Sequence, residues 1–264
     1  MTSVATGWAA GYARLSIDRP EPGLLRVRLP RAAVMSAALH REVARLWRDV
    51  AADGSVRAVL LAGSGGTFCA GADIEEERRN RDDETRRETM AQEARDLVYG
   101  MLDCPQPIVT AVRGAAAGSG LALLLLADVS VAAAGARLAD GHVRVGVAAG
   151  DHAAIIWPLL CGVAKAKYLL LAGVTFSGAE AEAMGMVSLA VPDADVDEHG
   201  LRIAARLAAG PPQALRATKR AINQWVRQAS PIFEEALAAE VLGAAGPEGR
   251  EGFDAFAEHR PARW

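Results

Sequence analysis

Cysteine is scarce. Cys69, Cys104 and Cys161 are scattered and odd in number over 264 residues. That pattern excludes a disulfide framework and a Cys-x-x-Cys centre, and it fits a reducing compartment. Long apolar runs are missing as well. The most apolar stretch, Leu121–Ala127, is far too short to cross a bilayer and runs into Asp128. Positive charge is not in excess: 29 Lys and Arg stand against 32 Asp and Glu, for a net charge of -3. A nucleic-acid partner held by bulk charge is thereby excluded, and only a local basic patch could serve that purpose. Met1–Gly11 has no basic segment leading into an apolar core, so no secretory signal is expected. The expectation is a cytoplasmic protein with no membrane and no nucleic-acid partner.

Familiar catalytic signatures are also absent. Gly114-x-x-x-Gly118-x-Gly120 has the wrong spacing for a dinucleotide fingerprint, and no Lys-Ser or Lys-Thr follows to make a phosphate loop. Ser119 lies between Gly118 and Gly120, which is not the Gly-x-Ser-x-Gly elbow of a hydrolase. No His-Glu-x-x-His spacing occurs. Asp140, His142, Asp151 and His152 offer metal-ligand types without a metal-ligand pattern, so no metal is expected.

What is present is an apolar body: 51% of residues are hydrophobic and 23% charged. That suffices for one large core, or for one core with a small appendage. The chain is organised around residues 107–134. An apolar strand, Pro107–Val112, ends at Gly114 and is followed by a patch of Ala, Gly and Ser. An apolar helix over Leu121–Ala127 comes next, closed by Asp128, and Val129–Ala134 resumes a strand. Small residues at such a turn let backbone approach either backbone or a ligand. The leading N–H groups of a helix have no partner within it, so they could stabilise a carbonyl oxygen that gains negative charge. The plainer alternative is that these glycines only permit close packing.

Elsewhere, patterning predicts strands over 12–18 and 24–29 joined by a turn at Arg19–Gly23. A helix over Ala37–Ala51, capped by Ser36, should bury Leu39, Val43, Leu46, Trp47 and Val50. Arg57–Leu61 reads as a strand, and Thr67–Ile74 as another small-residue turn into a helix, with Asp73 in its first turn. Glu75–Glu88 carries both charge signs and little apolar content, which reads as a solvated helical flap, and Met90–Leu102 as an amphipathic helix. A helix opens at Gly150-Asp151 and meets Pro158. Ser177 and Glu180 form a capping box at the start of a helical unit over Thr175–Val187. Beyond Asp197 only helical patterns remain, over 198–209, 213–228, 231–243 and 249–257. The expected fold is α/β, with an α/β core over 1–192 and a helical region over 193–264.

Of the five histidines, His142 and His152 sit in an apolar, glycine-punctuated context. Asp151 lies nine residues after His142, and a turn through Gly146–Gly150 could bring the two together. An imidazole whose ring N–H is held by a carboxylate shuttles protons near neutral pH. The alternative is that both residues cap neighbouring elements.

Three segments together resemble the enoyl-CoA hydratase/isomerase family, the crotonase superfamily: Phe68–Ile74, Pro107–Gly114 with Ala117–Gly120, and Leu171–Gly173 through Gly185–Ser188. Glu251–Arg260 is similar to the family's terminal helix, so the resemblance spans about residues 12–260. It implies a crotonase fold of repeated ββα units with C-terminal helices that cover the site and build a homotrimer, or a hexamer of two trimers. It also implies an oxyanion hole from the backbone N–H groups of Ala72 and Ser119. There would be no prosthetic group, and coenzyme A would enter as part of an acyl thioester substrate. Arg26, Arg28, Ala70, Asp73 and Ile74 are the positions that would hold it, with Arg31 and Arg260 as further basic candidates.

The departures bear on the chemistry. The two hydratase glutamates fall at Ala122 and His142, so the usual two-Glu hydration is not expected. The His142–Asp151 pair resembles a branch of carbon–carbon bond hydrolases that open cyclic β-diketones without coenzyme A, related to 6-oxocamphor hydrolase. That branch has a further histidine where Ser119 stands here. It also uses an acid from the C-terminal helices, for which Glu240 is the nearest candidate. Three readings follow. The leading one is an acyl-CoA enzyme with His142 as acid and base. The second is a β-diketone hydrolase using His142 and Asp151, and the third is a non-catalytic protein on the same fold.

Overall fold

The computed structural model describes residues 7–264. The hairpin β1 (Ser16–Glu21) and β2 (Leu24–Leu29) is antiparallel. The first strand starts later and runs further than its patterning implies. Pro20 lies inside it, which an edge strand tolerates because no ladder N–H is required there. Next come α1 (Ala37–Ala52), β3 (Ala58–Gly63), α2 (Ile74–Asn80), α3 (Glu84–Asp103) and β4 (Ile108–Val112). Ser36 caps α1 as expected, accepting from the Leu39 N–H. The charged 75–88 segment is not one flap: α2 takes its first half, and its second half is the first turns of the long α3.

The small-residue patch after β4 contains a strand that alanine content concealed, β5 (Ala115–Ala117), and α4 (Ser119–Leu125) starts two residues before the apolar run does. Then follow β6 (Val129–Ala133), β7 (Arg137–Ala139), a 3-10 turn over His142–Val145, α5 (Ala153–Cys161) with Pro158 inside it, and α6 (Val163–Leu171). The unit expected to be helical from Thr175 opens instead with β8 (Thr175–Ser177), and only α7 (Gly178–Ala183) is helix, started by the Ser177–Glu180 capping box. After β9 (Leu189–Val191) the chain is helical: α8 (Val196–Ala209), α9 (Pro212–Arg227), α10 (Ser230–Ala244) and α11 (Pro247–Ala257).

The main sheet has six strands in the order β1-β2-β3-β4-β6-β9, parallel from β2 onward. Ala58–Ala62 of β3 and all of β4 are buried, as strands covered on both faces must be. A second sheet of three strands, β5-β7-β8, stands beside it. Two connections leave the carboxyl ends of the neighbouring strands β3 and β4: residues 64–73, leading into α2, and 113–118, leading through β5 into α4. They are held to each other, with Cys69 bridged to Ala116 and the Ala117 N–H donating to the Cys69 carbonyl at 3.0 Å. Close approach is enforced here by Gly120. A Cβ on it would lie 2.6 Å from that of Cys69, so the packing role foreseen for this glycine is met. Among the described residues no helix is long and apolar enough to cross a membrane.

Candidate active site

A cavity of about 680 Å³ opens between these two connections, α1–α3 and the C-terminal helices. Its floor is made by small residues of the two turns, among them Ala70, Ala72 and Ser119. Ala72 forms a parallel bridge with Met35, in which Met35 N–H donates to the Gly71 carbonyl at 2.7 Å and Asp73 N–H donates to Met35 at 3.3 Å. The bridge uses the residues on either side of Ala72, so the Ala72 N–H faces the other way. Gly71, at φ +96°, makes the turn that allows this. Ser119 is the first residue of α4, where a backbone N–H has no partner in the helix. Among the described residues neither N–H donates a hydrogen bond. Asp73 and Ile74 also line the cavity, with the Asp73 carboxylate capping α2 by accepting from the Glu76 N–H.

His142 enters on the 3-10 turn after β7. The turn through Gly146–Gly150 does return the chain to it, but the partners are more numerous than expected. Asp140, only two residues before it, accepts from the His142 backbone N–H at 3.1 Å and takes the ring through Nδ1 at 2.9 Å. Orientation of the ring therefore belongs to Asp140, not to Asp151. Nε2 is left facing Glu240 Oε1 at 3.5 Å and Asp151 Oδ1 at 3.7 Å. Glu240, on α10, is steadied by the Gly150 N–H at 3.1 Å. Asp151 is met on one side by the Ser119 hydroxyl at 3.5 Å and on the other by Nδ1 of the fully buried His152.

These groups tune one another. Burial alone would push the His142 ring down, but the carboxylates of Asp140, Asp151 and Glu240 together hold it well above its usual value. Burial would raise Asp151, yet His152 and His142 beside it keep it below the usual carboxylate range. Asp140 is likewise lowered: burial would raise it, but the charge and hydrogen bond of His142, with the charge of His152, together outweigh that. Glu240 goes the other way, since burial raises it more than His142 lowers it. The two acids beside Nε2 are thus shifted in opposite directions, the kind of division that separates acid from base in a shared site. Ligand atoms of His142, Asp151 and Glu240 lie within 4.8 Å of one another, the one such group among the described residues. A divalent ion there would compete with the proton that the surrounding carboxylates favour on His142.

Helices α1–α3 supply a second polar wall that the sequence reading passed over. His40, on the buried stripe of α1, contacts Glu93 of α3 through Nδ1 at 2.9 Å. Its position three before Val43 and seven before Trp47 was the available signal. Glu77 and Arg86, from the segment read as solvated, line the cavity too. Arg26 and Arg28 do not. They stand on β2, where Asp18 takes Arg26 Nε at 2.9 Å and lies 3.5 Å from Arg28 Nη1. Arg260 is held by Glu251 and Glu258, each at 2.6 Å. The position assigned to the first hydratase glutamate, Ala122, is buried in α4.

The model of the enoyl-CoA hydratase/isomerase family matches residues 21–264. A probable enoyl-CoA hydratase of Rhodobacter capsulatus is 35% identical over 255 residues, covering 95% of this chain and 93% of that protein. Among solved structures, an enoyl-CoA hydratase/isomerase from Mycobacterium paratuberculosis superposes with a TM-score of 0.87 at 29% identity, covering 91% of this chain and 97% of that one. A β-diketone hydrolase from the cyanobacterium Anabaena sp. PCC 7120, bound to (S)-3-oxocyclohexyl acetic acid, superposes at 0.83 with 26% identity, covering 91% and 98%. The α/β fold with helical C-terminal region and the sequence agree, and the chain belongs to the enoyl-CoA hydratase/isomerase family, the crotonase superfamily.

Proposed function

We propose that the chain hydrolyses the carbon–carbon bond between the carbonyls of a 1,3-diketone, with His142 as the proton carrier and the Ala72 and Ser119 N–H groups as an oxyanion hole. The observation that carries this reading is the arrangement around one ring: Asp140 occupies Nδ1, while Asp151 and Glu240 converge on Nε2 next to Ser119. A water between Nε2 and the two carboxylates would be within reach of all three.

Neutral His142 takes a proton from that water at Nε2. The hydroxide bonds to one carbonyl carbon, whose π pair moves to oxygen. As the carbonyl re-forms, the carbon–carbon bond breaks and its electron pair passes to the second carbonyl as an enolate. Ala72 and Ser119 N–H donate to that oxygen. Imidazolium His142 returns the proton to the enolate carbon, and the new carboxylic acid ionises. Water has been added across the bond, and one base used twice is enough. Asp140 stabilises the imidazolium and fixes which nitrogen works, while Asp151 and Glu240 position the water and balance the charge.

A second reading is favoured by the relatives named enoyl-CoA hydratases. In it the same imidazole moves a proton beside a thioester enolate to hydrate or isomerise an enoyl-CoA. Absence of a carboxylate at Ala122 weighs against the two-carboxylate route to that product. In either reading we expect a homotrimer or a hexamer of two trimers, for which exposed Leu171, Ile222, Trp225 and Leu242 offer apolar surface.

The purified protein is assayed on 2,2-dimethylcyclohexane-1,3-dione without coenzyme A, following the ring-opened keto acid, and in parallel on crotonyl-CoA. Cleavage of the diketone bears out the first reading. Hydration of crotonyl-CoA without diketone cleavage selects the second, and turnover of neither, nor of their carboxylate-bearing counterparts, leaves a non-catalytic protein.

A further inference from the structure

The α1–α3 wall holds a guanidinium with donors that its own neighbours do not satisfy. Arg86 is in the first turn of α3, its backbone N–H tied to Asp83, the cap of that helix. Its side chain is only 15% exposed and lines the cavity. Nε and Nη1 are buried and donate no hydrogen bond among the described residues. The nearest carboxylate oxygen, Oε2 of Glu93, is 3.6 Å from Nη1, beyond hydrogen-bond reach.

Glu93 is already engaged. Oε2 meets the His40 ring at 2.9 Å, and Oε1 accepts from Arg41 Nε at 3.3 Å. Its single negative charge is therefore shared between two guanidinium groups. Glu77, the other acid of this wall, is pushed up by burial against the opposing charge of Arg86, and it makes no hydrogen bond to that guanidinium. Arg86 thus borders the cavity with Glu93 at ion-pair distance, but its Nε and Nη1 hydrogen-bond to neither acid of the wall. A buried guanidinium with free donors is costly, and a carboxylate, which it can grip through two parallel bonds, is the ligand that relieves that cost best.

We propose that Arg86 binds a carboxylate carried by the substrate at a point remote from the bond that reacts, so that the cavity takes acidic rather than neutral acyl or diketone compounds. The inference rests on the reading of this cavity as the substrate site. It does not depend on which scaffold, diketone or thioester, bears the carboxylate.

Calorimetry on the full chain tests it, in the His142→Ala background so that nothing turns over. The probes are 4,4-dimethyl-3,5-dioxocyclohexane-1-carboxylate and its methyl ester, and glutaryl-CoA against pentanoyl-CoA. With Arg86 present, the acid of a pair should bind about tenfold or more tightly than its neutral counterpart. Arg86→Gln should abolish that preference and Arg86→Lys should restore part of it, all three proteins keeping the same circular dichroism spectrum. A preference on the thioester pair alone leaves this inference standing while removing the diketone reading. Equal affinities within both pairs, no binding of any probe, or a preference that survives Arg86→Gln would overturn it.

Discussion

The cavity has two polar walls, and they are built on different rules. Around His142, carboxylates and imidazoles face one another: Asp140 and Glu240 on the two nitrogens of His142, and Asp151 on His152. Around Arg86, a guanidinium lies at ion-pair distance from Glu93 with its Nε and Nη1 donors unused. A cluster that is internally balanced can pass a proton from one member to another without importing charge. A cluster with unused hydrogen-bond donors can instead be completed by a ligand that brings acceptors. Under the proposed function, one wall would do chemistry and the other recognition within one cavity, and damage to the two walls should look different.

Removing the carrier itself should have the largest effect. His142→Ala is expected to lower kcat on the diketone by about 10²–10⁴-fold, the usual weight of a general acid or base. Steady-state kinetics at matched protein concentration check this, and a normal rate would end the assignment. Loss of either group beside Nε2 should cost less but still at least about tenfold in kcat, and this applies to Asp151→Asn and Glu240→Gln alike. If only KM rose in these variants, the two carboxylates would belong with the recognition wall instead. Gly120→Ala tests the seam between the two turns rather than either wall. Its new methyl group would lie 2.6 Å from Cys69 Cβ, so overpacking should lower stability by about 1–3 kcal/mol, measured by denaturant unfolding. The smallest effect is expected from Arg26→Ala. Its pair with Asp18 is half exposed and worth no more than about 1 kcal/mol, and affinity for a coenzyme A ester should not change.

The sequence made the framework easier to read than the site. Buried strands such as β4, the capped helix α1 and the capping-box start of α7 follow from local apolar patterning and capping chemistry, and they are where expected. β5 escaped because Ala115–Ala117 is a good helix former by propensity, and it is a strand only because β7 and the bridge at Cys69 pair with it. His142, Asp151, Ala72 and Ser119 do lie around one cavity. Asp140 was overlooked as the holder of His142, since a partner two residues away leaves no spacing signature. Glu240 could be named but not placed, as 98 residues separate it from His142 and only tertiary packing of α10 brings it in. Glu77 and Arg86 were hidden by composition: in a segment dense with charge, nothing local marks the two members that turn inward.

The central claim is that His142, held through Nδ1 by Asp140, is the group whose loss of a proton switches the reaction on. Its neighbours raise its pKa, so the active neutral form gains as pH rises, and kcat/KM should climb through a limb displaced above the usual histidine range. Replacing Asp140 by Asn removes the largest of the raising charges and should lower the pKa of the ring. The most direct measurement is therefore the pH dependence of kcat/KM for diketone cleavage in the wild type and in Asp140→Asn. The limb should move to lower pH in the variant, together with a reduced plateau. A limb that stays in place would show that some group other than His142 controls the reaction.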